Sequence, residues 1–218
     1  MPTQTKENYL KAIYFLQLKN QEVSITELGK VMDVSKPTVN NMIKKLTNIG
    51  WVKYIKYKPI TLTSKGKKQA ALIVRKHRLT EMFLEKIMGF GWEEVHSIAE
   101  EMEHLKTEKL FDRMDELLGY PTTDPHGSPI PNKDGLANRE HYKIMSSYKV
   151  GDSLQLRAVG DSSVELLKFL NEKEIKLGTL FFIAKIESFD KTMIVDYGKY
   201  KRVAMSYEVC KRLLVEEM

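Results

Sequence analysis

The sequence predicts a mainly α-helical protein that ends in a small β domain. The expected order is an N-terminal winged helix-turn-helix, a central helical segment and a C-terminal SH3-like β-barrel. Three observations predict it. Two short amphipathic helices joined by a three-residue turn are followed at once by an aromatic and β-branched hairpin pattern. Long helical periodicities occupy the middle of the chain. Beyond Tyr148 the periodicity changes to short alternating runs split by glycines.

From Glu7, the run YLKAIYFLQL places Tyr9, Leu10, Ile13, Tyr14, Leu16 and Leu18 largely on one stripe of a first helix. In SITELGKVMDV, Ser24 and Glu27 stand in capping-box spacing, and a short helix ends near Asp33. Ser35 caps the next helix, with Pro37 in its first turn, where a missing N–H costs little, and Gly50 ends it. Val39, Met42, Ile43 and Leu46 form its buried face. WVKYIKYKPITLT then reads as a two-stranded ribbon turning near Lys56 to Pro59, which completes a winged helix.

Ser64 is expected to cap a long helix closed by Gly89. A further helix lies in WEEVHSIAEEMEH, and a short one runs from Thr107 to Leu118. The Pro- and Gly-rich stretch GYPTTDPHGSPIPNKDG is irregular and marks a domain boundary. After it, GDSLQLRAVG, GTLFFIAKIESF, KTMIVDYG and KRVAMSYEVCKRLLVEE are strand-like, with one helix near Ser162 to Asn171.

Composition narrows the function classes. The 218 residues carry a net charge of +6, unevenly placed. Met1 to Lys76 holds 15 Lys/Arg against 4 Asp/Glu, whereas the remainder holds 20 against 25. A basic front third is an electrostatic footprint for nucleic acid, and a lysine-rich solubilising surface is the competing explanation. On the second helix of the pair, Lys36, Pro37, Thr38, Asn40, Asn41, Lys44 and Lys45 offer phosphate and base-edge contacts, and Lys53, Lys56 and Lys58 extend them on the wing. The only cysteine is Cys210, so an intrachain disulfide or a cysteine-based zinc knuckle is excluded. No apolar run reaches membrane-span length, and the first residues lack a signal-peptide core. The expectation is a cytoplasmic protein with no membrane partner.

The stretch VHSIAEEMEH, Val95 to His104, carries different chemistry. On a helical wheel, His96, Glu100, Glu103 and His104 fall within an arc of about 100°, away from Val95, Ala99, Met102 and Leu105. Two imidazoles with two carboxylates suit Mn, Fe, Zn, Co or Ni, although charged helix faces are often merely solvated. A second pair, His77 and Glu81, at i,i+4 on the preceding helix, favours metal binding.

SKPTVNNMIKKLTNIGWV, LTSKGKKQA, RKHRLTEMFL, EEVHSIAEEMEH and DRMDELLGYPTTDPHGSPIP, together with the small β domain, closely resemble the metal-dependent repressors of the diphtheria-toxin-repressor class, which includes iron- and manganese-responsive regulators. The resemblance runs over nearly the whole chain and is densest between Ser24 and Pro131. It implies a winged helix-turn-helix DNA-binding domain at 1–73, a helical dimerisation and metal-binding domain at 74–140, and an SH3-like (FeoA-like) domain at 148–218.

Position by position, the resemblance implies a primary site of Asn8, Glu100, Glu103 and His104, with the Glu100 carbonyl contributing. It implies an ancillary site of His77, Glu81 and His96, joined by Asp124 and His126, with Glu165 and Asp161 as weaker candidates. Asp124 could instead start a turn, and Glu165 could face solvent. Asn8 stands where iron-type members have methionine and several manganese-type members aspartate; Glu100 replaces the iron-type cysteine; Lys11 stands where one manganese subgroup has glutamate. An oxygen-rich set favours Mn²⁺ or Fe²⁺ over softer ions, and of the two the resemblance leans to Mn²⁺. The implied function is repression of metal-uptake genes by a homodimer on palindromic double-stranded operator DNA, with one or two dimers per operator and the cation as corepressor. A metal-independent winged-helix regulator sensing an organic ligand is the first alternative. A carboxylate–histidine metalloenzyme is a weaker one, because Glu93-x-x-His96 and Glu101-x-x-His104 share one helix, whereas di-iron proteins place such motifs on two.

Overall fold

The structure, a computed structural model, describes residues 3–20, 22–56, 58–138, 141–160 and 162–218. Tyr57, in the expected wing turn, and the ligand candidate Asp161 lie outside the described residues. The chain divides into two compact units. One comprises Met1–Thr80, Ser97–Thr122 and Ile130–Asn138; the other comprises Glu81–His96, Thr123–Pro129 and Arg139–Met218. The segment 74–140 is therefore shared between the two units. Among the described residues, no helix is long and apolar enough to cross a membrane.

The first unit opens with α1 (Gln4–Asn20), α2 (Ile25–Val31) and α3 (Lys36–Asn48). Ser24 Oγ accepts the Glu27 N–H at 3.0 Å, and Ser35 Oγ accepts the Thr38 N–H at 3.4 Å, so both expected caps form. Gly50 takes φ +75°, a conformation costly for a residue with a Cβ, and α3 stops there. The wing is β1 (Val52–Lys53) paired antiparallel with β2 (Thr61–Leu62). Its strands are short because Ile60 leaves the ribbon and bridges to Val23 ahead of α2.

Tyr9, Leu10 and Ile13 of α1 pack with Val39, Ile43 and Leu46 of α3, Leu28 of α2 and Trp51, Val52, Ile60 and Leu62 of the wing. Each such side chain contributes roughly 1.5–3 kcal/mol when fully buried. This core ties the pose of α3 to that of α1.

The long helix α4 (Ser64–Lys86) follows. Ser64 is its first residue and not its cap. The Thr63 hydroxyl takes that role, accepting the Gly66 N–H at 3.0 Å and donating to the Gly50 carbonyl at 2.7 Å. A Cβ at Gly66 would lie 1.9 Å from the Trp51 carbonyl oxygen, so only glycine lets α4 approach the wing this closely. Beyond α5 (Val95–Met102) and α6 (Glu108–Leu117), Arg75 pairs with Asp115 at 2.5 Å and donates to the Pro131 carbonyl at 2.9 Å, all three within the first unit.

In the second unit, β3 (Lys143–Ile144), β4 (Ser153–Val159), β5 (Leu180–Ile186), β6 (Met193–Tyr197), β7 (Tyr200–Met205) and β8 (Leu213–Glu217) form one antiparallel sheet in the order β3-β8-β4-β5-β6-β7. This agrees with the expected SH3-like domain. Helix α7 (Val164–Glu172) matches the predicted helix. The last run, expected to be strand-like throughout, is broken by the short helix α8 (Tyr207–Cys210), where the Ser206 hydroxyl accepts the Val209 N–H.

Candidate metal centre and nucleic-acid face

On α1, Lys11 follows Glu7 by four residues and Asn8 by three, both spacings of neighbours on a helix surface. Glu100 lies on α5, and Glu103 and His104 in the turn that ends it. His77 comes from α4. These residues meet within the first unit.

The Lys11 ammonium sits between two carboxylates. It makes a short contact with Glu100 and lies 2.8 Å from Glu103. The Glu103 side chain is fully buried, and its Oε2 also lies 2.7 Å from His77 Nδ1. His77, Glu100 and Glu103 can each present one donor atom within 4.8 Å of the others. His104 Nδ1 lies 2.6 Å from Glu7 Oε2, so the carboxylate holds the ring with Nε2 turned the other way.

Among the described residues, two buried polar atoms of this cluster have no partner, Asn8 Oδ1 and His104 Nε2, and buried Glu103 Oε1 faces the Lys11 ammonium at 2.8 Å. Buried oxygens and nitrogens are almost always satisfied, so two such atoms beside a buried carboxylate point to a missing partner. Glu103 Oε1 and His104 Nε2 are 3.6 Å apart. Donors held roughly 2.0–2.2 Å from one ion stand about 3.0–3.6 Å from each other, so the pair has the span of two ligands on one cation. With the imidazoles neutral, three carboxylates against one ammonium also leave net negative charge at the centre. The residues present therefore fit a divalent metal ion.

A second cluster lies within the second unit. Glu81, Asp124 and His126 are all buried, and their donor atoms approach within 4.8 Å. Asp124 does start a turn, accepting the N–H groups of His126 and Ser128, both at 2.9 Å. His126 Nε2 lies 2.8 Å from the Trp92 carbonyl and must donate to it, which leaves Nδ1, 3.9 Å from Glu81 Oε2, as the lone-pair nitrogen. His96 Nδ1 lies 3.1 Å from Glu81 Oε1, with the ring half-exposed. Glu165 is exposed in the first turn of α7.

On α3, Lys36, Pro37, Thr38, Asn41, Lys44 and Lys45 are exposed, as are Lys53, Lys56 and Lys58 of the wing. Asn40 is half-buried, its amide donating to the Lys36 carbonyl at 3.1 Å. Lys36, Asn40, Tyr54, Lys56 and Lys58 line an open groove between α3 and the wing.

Comparison with known proteins agrees with this layout. Residues 1–60 match the family model described as the iron dependent repressor N-terminal DNA binding domain, and residues 63–132 match its metal binding and dimerisation domain. The MntR regulator of Oceanobacillus iheyensis is 34% identical over 120 residues, 55% of this chain and 81% of that protein. The chain belongs to the iron-dependent repressor family.

The iron-dependent repressor IdeR of Mycobacterium tuberculosis is 35% identical over 127 residues, 58% of this chain. The matched region spans 55% of its length, so this chain aligns with about half of that relative. A solved structure, described as a manganese-dependent transcriptional repressor in complex with manganese, superposes with a TM-score of 0.87 at 29% identity, covering 98% of this chain and 100% of that one. The iron-dependent repressor family consists of DNA-binding regulators and not of enzymes. Two residues of the centre, both in the part matched by the DNA-binding model, have no role assigned by the sequence. Glu7 carried no signal beyond its place in the first turn of α1, and Lys11 was noted only as a departure from relatives.

Proposed function

We propose that the chain is a transcriptional repressor that binds palindromic operator DNA as a homodimer when loaded with a divalent cation, Mn²⁺ favoured over Fe²⁺, and that it controls metal-uptake genes in the cytoplasm. The observation that carries this is the pair of buried, unpartnered atoms Asn8 Oδ1 and His104 Nε2 beside the buried Glu103 carboxylate, on α1 and the turn that closes α5. Asn8, Glu100, Glu103 and His104 hold the ion, with His77 adjoining through Glu103. Glu81, His96, Asp124 and His126 supply an ancillary centre. The donors are mostly oxygen, with no thiolate, which favours hard or borderline ions such as Mn²⁺ and Fe²⁺.

When bound, the cation supplies the charge that ties α1 to α5. The chain does the rest. Leu10 and Ile13 of α1 pack on Val39, Ile43 and Leu46 of α3, so fixing α1 fixes the recognition helix. In a dimer the two recognition helices must lie about one DNA turn apart, and a bias of a few kcal/mol toward that arrangement shifts the population decisively. Lys44, Lys45 and the wing lysines then meet phosphates, while Thr38, Asn40 and Asn41 reach base edges. The operator takes one or two dimers, and exposed Leu117 and Tyr120 at the end of α6 supply apolar surface for the dimer contact. In this scheme 1–73 reads DNA, 74–140 holds metal and dimerises, and 148–218 is the appended SH3-like domain.

The test is Glu103→Ala. It removes the buried carboxylate shared by Lys11 and His77, and metal-stimulated DNA binding should disappear while the weak, salt-sensitive binding of the apo-protein persists. Metal-stimulated binding that survives the substitution rejects the proposal, and a metal-independent regulator would bind DNA equally with and without Glu103.

A further inference from the structure

We propose that Lys11 is a tethered counter-ion. It holds the carboxylates of Glu100 and Glu103 in the metal-free protein and has to leave them before a divalent cation can bind, so that this one side chain sets the affinity of the centre. The inference rests on the metal-centre assignment above and adds a competitor to it.

The ammonium lies where a cation would be held. It contacts Glu100 and is 2.8 Å from both oxygens of Glu103, the same carboxylate whose Oε1 lies 3.6 Å from His104 Nε2. Its side chain is only 12% exposed and that of Glu103 is fully buried, so solvent screens the contact weakly. A divalent ion on Glu103 Oε1 and the Lys11 ammonium on the same carboxylate would be like charges a few ångströms apart in a poorly screened pocket, an arrangement that is strongly unfavourable.

Lysine is suited to leaving. Its charge sits on a flexible four-carbon stem and makes no bidentate fork. Arg75 in the same unit is the contrast: it forms an ion pair with Asp115 and is fixed further by the Pro131 carbonyl. Among the described residues, Lys11 has only its two carboxylate partners, the groups the ion requires, and no such anchor. Its stem starts on the side of α1 that carries Asn8, so the ion and the ammonium compete from the same helix.

The experiment is calorimetric titration of the full-length apo-protein with MnCl₂, run alongside Lys11→Met and Lys11→Gln, with circular dichroism confirming that each is folded. Wild type should bind Mn²⁺, and both variants should bind it at least about tenfold more tightly because no ammonium has to be displaced. Equal or weaker binding by the variants overturns the proposal and makes Lys11 a fixed structural ion pair. Failure of all three proteins to bind Mn²⁺ removes the metal-centre assignment itself, and the proposal with it. Reductive methylation of wild type, read at Lys11 by peptide mass spectrometry, needs no variant. Modification of Lys11 should accelerate several-fold on Mn²⁺ saturation, and an unchanged rate overturns its release.

Discussion

Replacing Glu7 with alanine isolates the residue that orients a ligand without being one. Its Oε2 lies 2.6 Å from His104 Nδ1, with the two side chains 19% and 10% exposed. That contact keeps Nε2 unpartnered and presented to the ion. A carboxylate that fixes a ligating imidazole is worth 10–100-fold in metal affinity, or about 1.4–2.8 kcal/mol. Glu7 also sits in the first turn of α1, where an acid contributes about 0.3–1 kcal/mol through the helix dipole, so the apo-fold should lose little stability. The assay is Mn²⁺ titration by calorimetry. Glu7→Ala should weaken binding within that range, Glu7→Gln, which keeps an acceptor oxygen, should weaken it less, and His104→Ala should weaken it most. Unchanged affinity in Glu7→Ala, with His104→Ala clearly impaired, would refute the orienting role.

Further expectations concern other parts of the chain. Arg75→Ala leaves buried Asp115 without its counter-charge and should cost about 3–5 kcal/mol in chemical denaturation; a loss below about 1 kcal/mol contradicts a buried structural pair. Lys44→Ala, on the exposed side of α3, should weaken DNA binding uniformly across sequences and reduce the slope of log K against log salt by about one; an unchanged slope removes Lys44 from the phosphate contacts. Burial pushes the Cys210 thiol up to about 12, so it stays protonated through the neutral and mildly alkaline range. Iodoacetamide at about pH 8 should therefore leave the native protein unmodified and alkylate it in urea, and rapid native alkylation would show that the site opens.

Local chemistry was legible in the sequence, and long-range pairing was not. The run from Ser35 through Pro37 to Gly50 specifies where α3 starts and stops because cap, first-turn proline and αL glycine act within a few residues. At α4 the adjacent Thr63 and Ser64 both carry cap-competent hydroxyls, and only the packing of Gly66 on Trp51 selects Thr63. The helical wheel grouped His96 with Glu100, Glu103 and His104, yet His96 pairs with Glu81 while Glu103 meets Lys11 and His77. The wheel describes one helix alone, and it cannot show that Glu7 lies against a histidine 97 positions away. The sheet order β3-β8-β4-β5-β6-β7 was hidden for the same reason, since β8 inserts between strands that precede it by more than fifty residues. The alternating pattern in YEVCKRLL failed differently: Ser206 supplies a cap that turns its first four residues into α8.

The most direct test of the central claim is fluorescence anisotropy of the full chain on a labelled palindromic fragment from upstream of metal-uptake genes, measured in chelator and then with Mn²⁺ or, anaerobically, Fe²⁺. The account predicts sequence-specific binding only when metal is present, with Mn²⁺ acting at the lower concentration. Equal sequence-specific binding in chelator and in metal would contradict it, and Asn8, Glu103 and His104 would then be left with a structural role.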